Sequence, residues 1–187
     1  MNNTPSDKYS KIFFIADLHF GHPNIVRWRS ELGFAHDTVE EHDNHLVENW
    51  NETVQPDDRV YVLGDLCWNA KSIGVIPKLN GKIYFIGGNH DTKFYERIGE
   101  FPNVKLLGGL VDYRVPEVDK TFVMSHAPLH SSQVGGDRWD YNIHGHMHHI
   151  DIGEPNYVCV SVEQIGFKPI SFRQIINIYV PNNTNPL

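Results

Sequence analysis

The 187-residue sequence has little cysteine, no long hydrophobic run and few positive charges. Its two cysteines, Cys67 and Cys159, cannot form a disulfide framework and lack the paired spacing of a zinc knuckle, so we expect both to be small core residues. The longest apolar stretches have the length of a strand, so no membrane-spanning helix is predicted. The N-terminal residues carry no apolar signal core, which predicts a cytoplasmic protein.

The shortage of positive charge limits the classes of partner. Lysine and arginine together number 16, against 23 aspartates and glutamates, and the net charge is −7. This balance argues against an extended nucleic-acid-binding surface, which needs clustered basic residues. A phosphate substrate is still compatible with the charge, because bound dications make the local field positive.

The remaining composition is that of a globular chain, with 40% hydrophobic and 21% charged residues. The length predicts one domain over 1–187, large enough to bury a core without disulfides or structural metals. We expect loose tails at 1–8 and 181–187.

Short apolar runs predict a series of strands. They lie at 11–16, 59–63, 82–86, 120–124, 141–144 and 157–161. Thr38 to Glu41 matches a capping box and begins a predicted helix that ends before Pro56. Because strands and helices alternate in the first half and strands dominate the second, the predicted fold class is an α/β sandwich with parallel and antiparallel strands.

Two further segments have weaker patterns. The runs 104–107 and 110–115 predict a hairpin across Gly108 and Gly109. The segment 171–180 fits either a short capped helix or a strand.

Five short motifs, spread over most of the chain, carry carboxylate, amide and imidazole side chains. They are Asp17-Leu18-His19, Gly64-Asp65, Gly87-Gly88-Asn89-His90-Asp91, Ser125-His126 and Gly145-His146-Met147-His148. Four of the motifs lie where a predicted strand ends, and open α/β sheets bind ligands at the carboxyl ends of their strands. This mixture of anionic oxygens and neutral nitrogens suits two divalent cations that lie close together.

The ordered set of motifs resembles the signature of the calcineurin-like metallophosphoesterase superfamily, over about residues 11–150. The resemblance implies a four-layer α-β-β-α sandwich of two mixed β-sheets flanked by helices. The metal ligands that it implies are Asp17, His19 and His148 for the first ion, Asn89, His126 and His146 for the second, and Asp65 between the two. Manganese is the favoured metal, and these ligand types also admit iron, zinc or nickel.

The same resemblance implies a phosphoester hydrolase. A metal-bound hydroxide is expected to attack phosphorus, with His90 as the general acid for the leaving oxygen. Asp91 or another nearby carboxylate is expected to orient the His90 imidazole. The expected substrate is a small phosphodiester such as a nucleotide. The alternatives are a phosphomonoesterase acting on a small metabolite or nucleotide and, in a different class, a non-catalytic metal-binding or protein-interaction module.

Two other segments are similar to a small stand-alone bacterial and phage subgroup of that superfamily. They are the stretch after the first motif, which contains His22 and Asn24, and the C-terminal stretch that contains Ser161-Val162-Glu163 and Lys168-Pro169-Ile170. The candidate substrate contacts are His22, Asn24, Arg27, Arg29 and His130. For each of the two arginines, a solvated place on a helix face is an equal alternative, and for His130 a place on the loop surface is an equal alternative. Trp28 and Trp139 could stack on a nucleobase, although a place in the core or at a rim is the commoner explanation for such residues.

Overall fold

The computed structural model describes residues 8–34 and 36–180. The predicted loose tails lie outside these ranges, except for Lys8, which is helical. The strands are β1 (Ile12–Ile15), β2 (Arg59–Leu63), β3 (Lys82–Ile86), β4 (Val104–Leu106), β5 (Leu110–Val115), β6 (Lys120–Ser125), β7 (Tyr141–His144), β8 (Tyr157–Cys159) and β9 (Ile170–Ser171). The helices are α1 (Ile25–Glu31), α2 (Val39–Thr53), α3 (Tyr95–Ile98) and α4 (Phe172–Tyr179), with 3₁₀ segments at Ser72–Lys78 and Ser131–Gln133.

The first sheet is mixed and has the strand order β4-β3-β2-β1-β9. Strands β1 to β4 pair in parallel, and β9 runs antiparallel to β1. Every residue of β1 is buried, because one face of the sheet packs on α2 and the first 3₁₀ segment while the other faces the second sheet. Burial on both faces explains why this strand reads as an unbroken apolar run.

The second sheet is also mixed and has the order β5-β6-β7-β8, with β5 antiparallel to β6 and the other pairs parallel. Between the sheets lies a second core, in which Phe172 of α4 packs edge-on against Phe14 and Phe122. On the opposite face, the Asn142 side chain accepts the Leu129 backbone N–H and so fixes the loop that follows β6. The predicted α/β fold of two mixed sheets with flanking helices is confirmed.

The local structure differs from the prediction at one hairpin. Strand β4 pairs with β3 in the first sheet, and β5 pairs with β6 in the second, so Gly108 and Gly109 carry the chain from one sheet to the other. The predicted hairpin is wrong because β4 extends the first sheet in parallel beside β3, while β5 pairs along its whole length with β6. Of the two alternatives for 171–180, the helix is the observed one, with a capping box between Ser171 and Gln174. The capping box predicted at Thr38 is confirmed.

Within the two described ranges, the helices are too short or too polar to span a bilayer. The cytoplasmic location and the single-domain organisation stay predictions of the sequence.

Candidate metal centre

The candidate metal centre lies where strand ends from both sheets meet. Asp17, Asp65 and Asn89 follow β1, β2 and β3 of the first sheet. His126 and His146 follow β6 and β7 of the second. The His146 backbone N–H donates to Asp17 Oδ2 at 2.8 Å, which joins the last motif of the chain to the first. Packing of the two sheets therefore brings distant motifs into one place.

Left-handed backbone conformations concentrate at these motifs. Five non-glycine residues there have φ between 51° and 69°, namely Asp17, His19, Asp65, His146 and His148. Elsewhere in the described ranges, only Asp119 and Phe167 share this conformation among non-glycine residues. Such strain persists where surrounding contacts hold it, and it is common at functional sites. The strain at five proposed ligands is therefore independent support for a functional site.

The first ligand group consists of Asp17, His19 and His148, whose ligand atoms all lie within 4.8 Å of one another. Asp17 Oδ1 is buried without a hydrogen-bond partner. Leaving a buried polar atom unpaired costs about 1–3 kcal/mol, so this oxygen fits the presence of a bound cation. The rings of His19 and His148 stack with their centroids 5.2 Å apart, so the two imidazoles enter the group side by side.

The second ligand group consists of Asn89, His126 and His146. Asn89 Oδ1 is 2.9 Å from His126 Nε2 and 3.2 Å from His146 Nδ1. The His126 Nδ1–H donates to the Leu63 carbonyl at 2.8 Å, which leaves Nε2 as the ring nitrogen that faces this group. An amide oxygen and an imidazole lone pair that face each other so closely can be joined by a cation.

Asp65 lies between the two ligand groups. Its Oδ2 is 3.7 Å from His19 Nε2 and 3.5 Å from His126 Nε2. It is buried, and its carboxylate has two oxygens and a full charge to share. Asp17, Asp65 and His126 also form a set of potential ligands within 4.8 Å of one another, so the two groups are contiguous through Asp65.

Two glycines of the motifs make room for the ligands. A Cβ on Gly88 would lie 2.2 Å from Asp65 Oδ1, and a Cβ on Gly64 would lie 2.3 Å from His126 Nδ1. Gly64 also has φ of +90°, which other residues rarely adopt. The glycines in Gly64-Asp65 and Gly87-Gly88-Asn89 are therefore needed for the close approach of the metal-facing side chains.

Burial and neighbouring charges shift the pKa values of the residues in and behind the first ligand group. Burial, with the charges of His148 and Arg29, lowers the pKa of His19 well below its usual value, so this ring is neutral at pH 7. Burial raises the pKa of Asp17 against the opposing charge of His148. Burial alone would raise the pKa of Glu163, but the His148 hydrogen bond and the Arg29 charge hold it at about 2. A bound dication would oppose the effect of burial on Asp17 and favour its ionised form.

His90 lies at the rim of the centre. Its side chain is 39% exposed, and its Nε2 is 3.9 Å from Asp65 Oδ2. Its ring packs against Trp68 with the centroids 5.0 Å apart, and its backbone N–H donates to Asp65 Oδ1 at 3.0 Å. The carboxylate near the His90 imidazole is therefore that of Asp65.

Asp91 has a different position from the one expected. It is fully buried, and its carboxylate accepts the backbone N–H groups of Asp65 at 2.6 Å, Gly88 at 2.8 Å and Leu66 at 3.1 Å. Because both of its oxygens are engaged by backbone donors, Asp91 joins the loops after β2 and β3. We therefore reassign Asp91 from orienting His90 to positioning these loops.

Both alternatives given for Arg29, a substrate contact and a solvated place on a helix face, are wrong. Its side chain is only 1% exposed and lies behind the first ligand group. The guanidinium donates to Glu163 Oε1 at 2.8 Å, to the Asp17 carbonyl at 2.6 Å and to the Leu18 carbonyl at 3.3 Å. These buried acceptors satisfy the positive charge, so Arg29 cannot reach a phosphate in the open part of the site.

Arg27 and His130 have surface positions. Arg27 is largely exposed and pairs with Glu31 at 3.4 Å along α1. His130 is exposed, and its Nδ1 accepts the Ser132 backbone N–H at 3.2 Å. These contacts favour the alternative of a solvated residue for Arg27 and a loop-surface position for His130.

His22 and Asn24 lie beside the first ligand group. The His22 ring is buried, 5.8 Å from the His19 ring and 3.8 Å from the Trp68 ring, measured between centroids. Its Nδ1 accepts the Asn24 backbone N–H at 3.0 Å, and the Asn24 side chain is exposed at the start of α1. Of the five candidate contacts, His22 is the one whose ring packs against the ring of a proposed ligand, and Asn24 is joined to His22 through its backbone.

Two residues that were not predicted as part of the site also contact it. Ser161 Oγ donates to Asp17 Oδ2 at 2.6 Å, and Glu163 Oε1 accepts the His148 Nδ1–H at 3.1 Å. The only signal in the sequence was the resemblance of Ser161-Val162-Glu163 to a subgroup motif, which carries no indication of a role.

Comparison with known proteins identifies relatives over most of the chain. No family model matches it. The uncharacterized protein MJ1445 of Methanocaldococcus jannaschii is 34% identical over 178 residues, which cover 90% of each chain. The gene 66 protein of Mycobacterium phage D29 is 28% identical over 165 residues, or 74% of this chain and 79% of its own.

Solved structures share the fold at lower identity. The protein of unknown function AQ665 from Aquifex aeolicus superposes with a TM-score of 0.67 at 23% identity, over 89% of this chain and 98% of its own. A novel archaeal phosphodiesterase superposes over 80% of this chain and 81% of its own, at 18% identity, with a TM-score of 0.48 that is too low to support an assignment. By its identity over nine-tenths of both sequences, the chain belongs to the same family as MJ1445.

Proposed function

We propose that this protein is a metal-dependent phosphodiesterase of the calcineurin-like type that acts on a nucleotide or another small phosphoester. The observation that carries the proposal is the convergence of two ligand groups on Asp65, with the His90 imidazole exposed at their rim. A metal site with only a structural role needs no exposed histidine beside it to act as a general acid.

Each ligand group would hold one divalent ion, and Asp65 would contact both. When bound, two such ions activate a water for attack on phosphorus and neutralise the charge of the phosphoryl oxygens. The neutral Asn89 amide limits the negative charge of the second group, so its ion retains Lewis acidity. Manganese is the favoured metal, and the mixed oxygen and nitrogen ligands also admit iron, zinc or nickel.

His90 is the residue best placed to protonate a leaving oxygen. Its ring is open to solvent, yet the hydrogen bond from its backbone to Asp65 Oδ1 fixes the loop that carries it. A group within reach of both the substrate and the bridging carboxylate can deliver a proton as the ester bond breaks.

A screen of the purified protein reconstituted with Mn²⁺ tests this function. We expect hydrolysis of a phosphodiester, such as a cyclic nucleotide or bis(p-nitrophenyl) phosphate, to exceed hydrolysis of the corresponding monoester. Faster monoester hydrolysis would support a phosphomonoesterase instead. Tight binding of Mn²⁺ without turnover of either class would support a non-catalytic metal-binding module and contradict the proposal.

A series of aromatic rings leads from His90 to the surface and supports a nucleotide as substrate. The rings of Trp68 and His22 are 3.8 Å apart, and Trp28 lies 4.9 Å beyond His22, with 51% of the residue exposed. A half-exposed indole beside the centre offers a face on which a nucleobase can stack, and the phosphate would then lie toward the two ligand groups.

Trp28→Ala is accordingly expected to raise KM for nucleotide diesters by the order of tenfold, within the range that base stacking contributes. Hydrolysis of a glycerophosphodiester, which has no base, should change little. Steady-state kinetics with both substrates measure the difference, and Ile178→Ala, another exposed apolar residue, is the matched control. An equal loss on both substrates would contradict a stacking role for Trp28.

A further inference from the structure

The stretch Ser161-Val162-Glu163 contacts the metal centre, although none of its side chains belongs to a ligand group. Ser161 forms an isolated parallel bridge with Ala16, and Glu163 lies in the turn that follows it. Both reach the first ligand group. We propose that Glu163, held by Arg29, is a positioning residue that sets the affinity of the first ligand group for its ion and leaves the second group unaffected. The inference rests on the proposed function only in that both groups bind metal.

Glu163 fixes the orientation of His148. Its side chain is 2% exposed, and Oε1 accepts both the Arg29 Nε–H at 2.8 Å and the His148 Nδ1–H at 3.1 Å. Because Nδ1 carries the donated proton, Nε2 of His148 is left as the atom that can bind a metal. A carboxylate behind a histidine ligand fixes its tautomer and increases its basicity.

Arg29 contacts the backbone that carries the other two residues of the first ligand group. Its guanidinium donates to the carbonyls of Asp17 and Leu18, which lie in the strained turn that carries Asp17 and His19. One buried ion pair, Arg29 with Glu163, therefore contacts the backbone of this turn and the ring of His148.

Ser161 adds a direct contact to a ligand. Its hydroxyl donates to Asp17 Oδ2 at 2.6 Å, which leaves Asp17 Oδ1 as the oxygen without a partner. The hydrogen bond fixes the rotation of the carboxylate and so directs Oδ1 toward the place of the ion.

The second ligand group is supported differently. His126 is anchored by the Leu63 carbonyl, while Asn89 and His146 are exposed. The side chains of Arg29, Ser161 and Glu163 contact the first group, its loop, His42 and Cys159, and within the described ranges they have no hydrogen bond to a side chain of the second group. We therefore expect substitutions of Arg29, Ser161 or Glu163 to lower the metal affinity of the first ligand group and not that of the second.

The test measures Mn²⁺ binding to Glu163→Gln by equilibrium dialysis and elemental analysis. The amide can still accept a hydrogen bond, so the change removes mainly the charge. We expect one of the two ions to bind about 10–100-fold more weakly and the other to keep its affinity, as for loss of an outer-shell partner. At limiting Mn²⁺ the variant should hold one ion, and excess Mn²⁺ should restore the second ion and much of the activity.

Glu52→Gln is the matched control, because Glu52 also pairs with a basic residue, Lys168 at 2.9 Å, but on the surface.

Ser161→Ala is the second variant, since it weakens the same group without leaving a buried charge unpaired. It should lower the affinity of the same ion by a smaller factor. The double variant Asn89→Ala with Glu163→Gln identifies the ion: it should bind both ions weakly, because the two changes then affect different ligand groups.

Equal weakening of both ions, or unchanged affinities in both variants, would overturn the inference. The proposed function fails in a distinguishable way. Suppose that the wild-type chain binds two ions, that Glu163→Gln weakens only one of them, and that no phosphoester is hydrolysed. The inference then holds and the proposed function does not. If the wild-type chain takes up no Mn²⁺, both are wrong.

Discussion

Asp65→Asn is expected to lower turnover of a phosphodiester by more than about 100-fold, the upper end of the loss seen when an outer-shell partner is removed. The effect should be larger than for an outer-shell residue because Asp65 Oδ2 faces both His19 Nε2 and His126 Nε2. An amide has one oxygen and no charge to share between two cations. Turnover and bound metal should therefore fall together.

The fold should survive this change. The oxygen of the amide can still accept the His90 backbone N–H that now binds Asp65 Oδ1 at 3.0 Å. Circular dichroism and thermal unfolding of the metal-free protein check this point, and Asp112→Asn, an exposed aspartate on β5, is the control. A variant at Asp65 that keeps wild-type turnover and two bound ions would contradict the bridging role.

His90→Ala is expected to have an effect that depends on the leaving group. For a diester with an alkoxide leaving group, loss of a general acid should lower kcat by about 10²–10⁴-fold. A p-nitrophenolate leaves without needing a proton, so the same variant should retain most of its activity on bis(p-nitrophenyl) phosphate. The exposed position of the ring, 3.9 Å from Asp65 Oδ2, is what allows it to reach a leaving oxygen.

The comparison of the two substrates separates acid catalysis from metal binding. A variant that had lost an ion would be impaired on both, so a uniform loss would contradict the acid role of His90. Retained activity on the alkoxide diester would contradict it as well. His149→Ala, an exposed histidine outside the ligand groups, is the control, and its kcat should match the wild type on both substrates.

Much of the fold could be predicted from the sequence because its signals are local. The buried strands β1, β2 and β3 read as short apolar runs, since burial on both faces leaves no polar positions between their ends. The capping box at Thr38 is likewise a pattern of four residues that satisfies the backbone of its own first turn.

Other elements depend on contacts between distant residues. The segments around Gly108 resemble the arms of a hairpin, but β4 and β5 join different sheets because each extends the sheet of a strand outside the pair. A local sequence pattern indicates which residues can form a strand. It does not indicate which sheet has an edge with which that strand can pair.

The sequence by itself determined which residues could take part in the centre, because metal binding requires particular side-chain types and these occur in five ordered motifs. Only the tertiary structure decided how the neighbouring residues are used. Arg29 and Asp91 have the chemistry of substrate and catalytic groups, yet burial directs their charges to backbone groups and to Glu163. Glu163 is 134 positions from Arg29 and 15 from His148, and a contact over such separations exists only once both sheets are packed.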